Sequence, residues 1–219
     1  MNKLISIDDL TIDQINDIVK IAKIYKDDKV IPTFNLNPVI GIMFFEPSTR
    51  TNYSFQTAIH KLGFKFIEYN HDNSSSKKGE SLQDTISTFE CYCDLIIIRH
   101  PDKNIFNDIV FSKPVINAGN GPEEHPTQAL LDLYTMDSYF RIYSQRNINK
   151  ILIIGDIKSR TINSLLYLLF KYTSCLINYV IINKDLENYK DKWLEEFPMF
   201  HNNDLYKLSN IEELNNLKE

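Results

Sequence analysis

Val39-Ile40-Gly41-Ile42-Met43-Phe44-Phe45-Glu46-Pro47-Ser48-Thr49-Arg50-Thr51 is the stretch that decides the fold. Its first seven residues form an unbroken apolar run, the mark of a strand buried on both faces. The run breaks at Pro47, and a helical pattern follows from Thr51 to Leu62, stopped by Gly63. A buried strand feeding directly into a helix is the first half of a βαβ unit. The turn between them gathers Ser48, Thr49, Arg50 and Thr51 at a helix start. Hydroxyls, a forked guanidinium and free backbone N–H groups together suit a phosphate group. The pattern points to an enzyme acting on a phosphorylated small molecule.

The alternation continues outward. Thr11-Ile12-Asp13-Gln14 reads as a capping box, opening a helix with Ile15, Ile18, Val19 and Ala22 on one face. Further strands are expected at Lys65–Tyr69, Leu95–Arg99 and Val115–Ala118, with helices near Ser81–Tyr92, Asn104–Phe111 and Pro126–Arg141. After the polar stretch 142–149 the alternation restarts. Strands are expected at Ile151–Gly155 and Leu176–Ile182, helices at Thr161–Tyr172 and Leu186–Phe197, and a weak strand and last helix near 205–208 and 211–218. This is an α/β chain of two doubly wound parallel-sheet domains, 1–141 and 150–219, the second incomplete, with an apolar edge left open.

Composition narrows the function. The chain has 219 residues, 43% of them apolar, and a net charge of −5. The acidic balance argues against nucleic acid as partner. No apolar stretch reaches transmembrane length and the start carries no signal-peptide pattern, so a cytoplasmic protein is expected. Cys91, Cys93 and Cys175 form neither a disulfide framework nor zinc spacing. Only five of the 24 basic residues are arginine, namely Arg50, Arg99, Arg141, Arg146 and Arg160. Where lysine supplies the ordinary surface charge, arginine marks places that need a fork.

Ligands of open α/β sheets bind beyond the carboxyl ends of the strands. Collected there are Ser48 to Thr51, the loop Ser74 to Glu80, Arg99 with His100, then Gly119 to Gly121 followed by His125 and Gln128. Asp84 and Glu90 read as helix-surface acids.

These residues carry a resemblance. Phe-Phe-Glu-Pro-Ser-Thr-Arg-Thr, Lys-Lys-Gly-Glu-Ser-Leu-Gln-Asp-Thr from Lys77, Arg99-His100-Pro101, Asn117-Ala-Gly-Asn-Gly and His125-Pro-Thr-Gln-Ala-Leu-Leu-Asp occur in the order seen in aspartate carbamoyltransferase catalytic chains. Ile154-Gly-Asp-Ile-Lys-Ser-Arg160-Thr161 with Ser164 resembles the start of that family's aspartate-binding domain. The resemblance implies a carbamoyl-phosphate-binding domain over 1–141 and a partial aspartate-binding domain over 150–219. It implies that Ser48, Thr49, Arg50 and Thr51 hold carbamoyl phosphate, with Arg50 on the phosphate. Arg99 and His125 would polarise the carbonyl together with Thr51, and Gln128 would hold the carbamoyl amide. Arg160 would clamp the carboxylates of L-aspartate. Ser74 and Lys78 would enter a neighbouring subunit's site, which implies a homotrimer with shared sites. Whether regulatory chains join it is left open.

The implied reaction transfers the carbamoyl group from carbamoyl phosphate to L-aspartate, as in pyrimidine biosynthesis, with no metal and no cofactor. Ornithine carbamoyltransferases share the Ser-x-Arg-Thr and His-Pro-x-Gln segments and are the alternative. Lys77 to Ser81, and Arg160-Thr161 with Ser164, favour aspartate, because a guanidinium suits a dicarboxylate. The chain stops at Glu219, before the family's second aspartate-binding segment. A carbamoyl-phosphate-binding homologue with little turnover is therefore a further expectation.

Overall fold

A computed structural model of the protein describes residues 3–27, 37–70, 79–143, 150–154, 159–172 and 178–182. Five parallel strands form the main sheet: β1 (Lys3–Leu4), β2 (Val39–Phe44), β3 (Lys65–Glu68), β4 (Leu95–His100) and β5 (Val115–Asn120). Their order is β1-β5-β4-β2-β3. The chain leaves β2 toward one edge and returns across it to β4, so a topological switch point lies between β2 and β4.

Helices cover both faces. They are α1 (Ile12–Asp27), α2 (Arg50–Lys61), α3 (Leu82–Glu90), α4 (Ile105–Asp108), α5 (Pro126–Tyr143) and α6 (Arg160–Tyr172). The strands divide their side chains by the two-residue pleat. Met43, Ile96 and Ile98 face Ile86 of α3 and Ile105 of α4, whereas Ile40, Ile42 and Ile97 face Ile59 of α2. Both faces of β2 and β4 are buried, which explains the unbroken apolar runs.

The chain forms two compact units, residues 1–134 with 160–172, and 135–159 with 173–219. Helix α6, placed in the second domain from sequence, thus packs within the first unit, against α1 and a short 3₁₀ turn at Ile7–Asp9. Leu166, Leu168 and Leu169 of α6 are fully buried. In the second unit, β6 (Lys150–Ile154) and β7 (Asn178–Ile182) pair in parallel. The helix expected at 186–197, the strand at 205–208 and the last helix lie outside the described residues.

The Thr11 capping box forms: Gln14 N–H donates to Thr11 Oγ1 at 3.2 Å and Thr11 N–H to Gln14 Oε1 at 2.8 Å. Three local expectations are corrected. Strand β5 runs on through Gly119 and Asn120, because Asn117 and Asn120 hold its end; Asn117 Oδ1 accepts from Gly119 N–H at 2.7 Å and Asn120 Nδ2 donates to Lys103 O at 2.7 Å. Helix α4 stops at Asp108, since the Gln83 amide captures the backbone of Val110 from both sides, at 2.9 and 3.0 Å. Glu90 is buried rather than a surface acid. Its carboxylate accepts from Ser112 N–H, Ser112 Oγ and Lys113 N–H, tying α3 to the segment before β5.

Gly41 sits where β2 meets α3. A Cβ there would lie 2.8 Å from Cys93 Sγ and 2.9 Å from Phe89 Cε1. Gly41→Ala is expected to lower the unfolding free energy by about 1–3 kcal/mol through overpacking; urea unfolding of the two proteins measures it.

Candidate functional site

The site begins at the turn after β2. Thr49 is the N-cap residue of α2, yet its backbone is already helical and no side chain caps the helix. Ser48 does not serve as the cap either. The hydroxyls and first N–H groups of α2 therefore stay available to an anion. Arg50 stands exposed on the first turn, and Thr51 is half-buried beside it.

Thr51 reaches across to the loop after β5: its Oγ1 lies 3.4 Å from His125 Nε2. His125 precedes α5 and is buried, with Nδ1 3.3 Å from the Thr127 hydroxyl. If Thr127 donates to Nδ1, Nε2 carries the proton and faces Thr51 as a donor. Burial, with the nearby guanidinium charges of Arg99 and Arg160, lowers the imidazole pKa to about 4. At neutral pH His125 is a neutral donor.

Arg99 is the penultimate residue of β4 and Arg160 begins α6. They meet on Glu46. Its Oε1 accepts from Arg99 Nε and from Arg160 Nη2, each at 2.6 Å, with side-chain exposures of 22%, 13% and 16%. Arg160 Nη1 also donates to Gly121 O at 2.9 Å. Gly119 lies directly under this guanidinium: a Cβ there would be 3.1 Å from Arg160 Cζ, and its φ of +117° favours glycine. Burial, then the charge of Arg160, lowers the Arg99 pKa. Opposing that repulsion is the role of Glu46.

A second carboxylate fixes the loop from behind. Glu124 accepts from Ser6 Oγ at 2.5 Å, Ser164 Oγ at 2.8 Å and Ile7 N–H at 3.4 Å, and burial raises its pKa. Ser164 Oγ in turn accepts from His125 N–H at 2.8 Å. The N-terminal turn, α6 and the His125 loop are thereby joined. Gln128, one turn on, donates to Asp132.

Thus Thr51 meets His125, and Arg99 meets Arg160 through Glu46. Ser48, Thr49 and Arg50 lie at the head of α2, and Gln128 on the first turn of α5. Ser74 and Lys78 lie outside the described residues. Glu46 and Glu124 were missed as site residues from sequence. Glu46 sits inside the quoted octapeptide, and an acid at the end of a buried strand among arginines was the available signal. Among the described residues no three His, Cys, Asp or Glu side chains gather as for a metal ion, and no helix is long and apolar enough to cross a membrane.

Glu46→Gln keeps an acceptor but removes the charge between two guanidiniums. It is expected to cost about 1–3 kcal/mol of stability, read from the urea midpoint. His125 gives a pH signature. The unfolded imidazole titrates near 6.5 and the folded one near 4. Between these values the unfolded chain binds more protons, so stability falls as pH drops through this window. Glu124, with its raised pKa, acts oppositely at the acid end. Between about pH 6.5 and 5 the wild type should therefore lose more stability than His125→Gln; equal slopes in urea unfolding would refute a neutral, buried His125.

Comparison with known proteins places this geometry. The family model "aspartate/ornithine carbamoyltransferase, carbamoyl-P binding domain" matches residues 2–138. The aspartate carbamoyltransferase catalytic subunit of Clostridium perfringens (strain SM101 / Type A) is 38% identical over 217 residues, covering 94% of this chain and 67% of that one. Aspartate transcarbamoylase from Trypanosoma cruzi, solved with carbamoyl aspartate and phosphate, superposes with a TM-score of 0.80 at 28% identity, covering 96% of this chain and 69% of that one. The same protein with N-(phosphonacetyl)-L-aspartic acid gives a TM-score of 0.73 at 31% identity, over 89% and 66%. The chain belongs to the aspartate/ornithine carbamoyltransferase family.

Proposed function

We infer that the chain transfers the carbamoyl group of carbamoyl phosphate to the amine of L-aspartate, giving N-carbamoyl-L-aspartate and phosphate, a reaction of pyrimidine biosynthesis. The observation that carries this is the convergence at the switch point. An uncapped, arginine-bearing helix start, a neutral buried imidazole and two guanidiniums on one carboxylate share one rim. By this reading residues 1–141 serve as the carbamoyl-phosphate-binding domain and residues 150–219 as part of the aspartate-binding domain, with α6 of that part packing in the first unit.

Each residue has a chemical task. Ser48, Thr49 and the α2 N–H groups donate to the phosphate, with Arg50 donating bidentately. Thr51, Arg99 and His125 Nε2 donate to the carbonyl oxygen, on which negative charge grows as the amine attacks. Gln128 holds the carbamoyl –NH2. A new C–N bond forms at the carbamoyl carbon, the C–O bond to phosphate breaks, and the amine gives up a proton, for which the departing phosphate is the nearest base. Holding two substrates in line contributes much of the acceleration.

Arg160 chooses the acceptor. Its guanidinium already donates to a carboxylate, that of Glu46, the chemistry that binding an aspartate carboxylate would use. The cationic ornithine side chain would meet two guanidiniums there, and the Glu46 carboxylate between them is already shared by both. The protein is further assigned to the cytoplasm as a homotrimer, with Ser74 and Lys78 reaching a neighbouring subunit's site. Regulatory chains would be further partners.

Arg50→Ala should weaken carbamoyl phosphate binding about 10–100-fold, the worth of a charge-assisted bidentate contact. Arg160→Ala should leave that affinity intact while weakening aspartate similarly. Calorimetric titration, with a carbamoyl-aspartate and citrulline product assay, reads both. Unchanged aspartate affinity in Arg160→Ala, or faster transfer to ornithine than to aspartate, would overturn the acceptor assignment.

A further inference from the structure

Asp132 lies four residues after Gln128 on α5, so the two side chains share one helix face. Gln128 Nε2 donates to Asp132 Oδ1 at 3.0 Å. The choice of amide end is chemically forced. An ionised carboxylate only accepts, so the carboxamide must present –NH2 to it and turn its carbonyl oxygen elsewhere. Asp132 is half-buried, and among the described residues it has no cationic partner. A surface carboxylate held only by solvent would fix nothing. A half-buried one, whose other partner would be a lost hydration shell, holds its one donor firmly.

Gln128 is also anchored at its backbone. Its N–H donates to His125 O at 3.0 Å, which keeps it one turn from the imidazole that meets Thr51. With its –NH2 turned onto Asp132, the end of the Gln128 amide facing away from that carboxylate is Oε1, a pure acceptor. A carbamoyl group differs from an acetyl group in one respect of similar size, –NH2 in place of –CH3. An acceptor oriented toward that position rewards the first and is left unpaired by the second.

We propose that Asp132 is a specificity-determining positioning residue: by holding the Gln128 –NH2 it aims Gln128 Oε1 at the ligand, so that the site selects a carbamoyl over an acetyl phosphate. This rests on the assignment of the site to carbamoyl phosphate. Asp132 does not touch the ligand. Its removal frees the amide to rotate and offer a donor as readily as an acceptor, so the distinction between the two acyl groups fades while phosphate binding persists.

The test uses two stable isosteres, phosphonoacetamide and acetonylphosphonate, together with inorganic phosphate. Each is titrated calorimetrically into the wild type, Asp132→Asn and Asp132→Leu. The wild type should prefer the amide about tenfold or more, the worth of one satisfied buried acceptor. Asp132→Leu should lose that preference with phosphate affinity changed less than about twofold. Asp132→Asn keeps the side-chain volume but can present either a donor or an acceptor to Gln128, so it should lose part of the preference, and it decides alone if the leucine variant does not fold. An unchanged preference in Asp132→Asn and Asp132→Leu overturns the proposal. So does a parallel weakening of all three ligands, which would mark a merely structural role. If the wild type binds phosphate but neither isostere better than phosphate, the carbamoyl-phosphate assignment itself fails.

Discussion

One oxygen atom organises this site. Glu46 Oε1 accepts from Arg99 and from Arg160 at 2.6 Å each, and all three side chains are largely withdrawn from water. Two guanidiniums so close repel each other, and the repulsion grows as the local dielectric falls. The shared carboxylate makes the arrangement affordable, and it draws together three parts of the chain: the turn after β2, the end of β4 and the start of α6. Removing a partner from such a group costs far more than its net contribution when complete. Burial above all, and after it the same pair of charges, holds His125 neutral. The charge balance that stabilises the rim thus also contributes to the protonation state of its imidazole.

Topology makes that convergence possible. In the order β1-β5-β4-β2-β3, the loops after β2 and β4 diverge at the switch point and leave a crevice. Only polar side chains and glycine suit its floor. Gly119 supplies a surface on which the Arg160 guanidinium lies flat, where any Cβ would press within about 3 Å of it. Behind the rim, Glu124 makes the His125 loop answerable to residues more than a hundred positions earlier, since Ser6 and Ile7 bind its carboxylate.

The central strands and their helices were legible from sequence because burial on both faces writes apolar runs, and helices write a 3.6-residue period. The candidate rim residues stood out in the sequence because their spacing resembles a known family and because arginine is scarce in this chain. What stayed hidden depends on tertiary contact. Strand β1 is two residues long and has no period to detect; it exists because Lys3 and Leu4 find the free edge of β5. Glu90 has the local surroundings of a surface acid, and only the return of Ser112 and Lys113 buries it. Glu46 was in plain view inside the motif, but a carboxylate beside arginines reads from sequence as solvent-facing until the fold removes the water. The packing of α6 with the first unit was likewise invisible, because a polar stretch before a new strand is the ordinary signal of a boundary.

A neutral histidine changes how the chemistry should be understood. With a pKa of about 4, His125 is a poor base at neutral pH and has no net charge to lend. In the function proposed above, its contribution would be a directed N–H whose strength grows as the carbonyl oxygen becomes anionic, which is the differential stabilisation that raises a rate. An imidazolium would bind phosphate and carbonyl alike, in ground and transition states both. The two arginines that depress the His125 pKa therefore divide the labour of the rim. The guanidiniums carry the rim's permanent charge, and the imidazole beside them stays a neutral dipole.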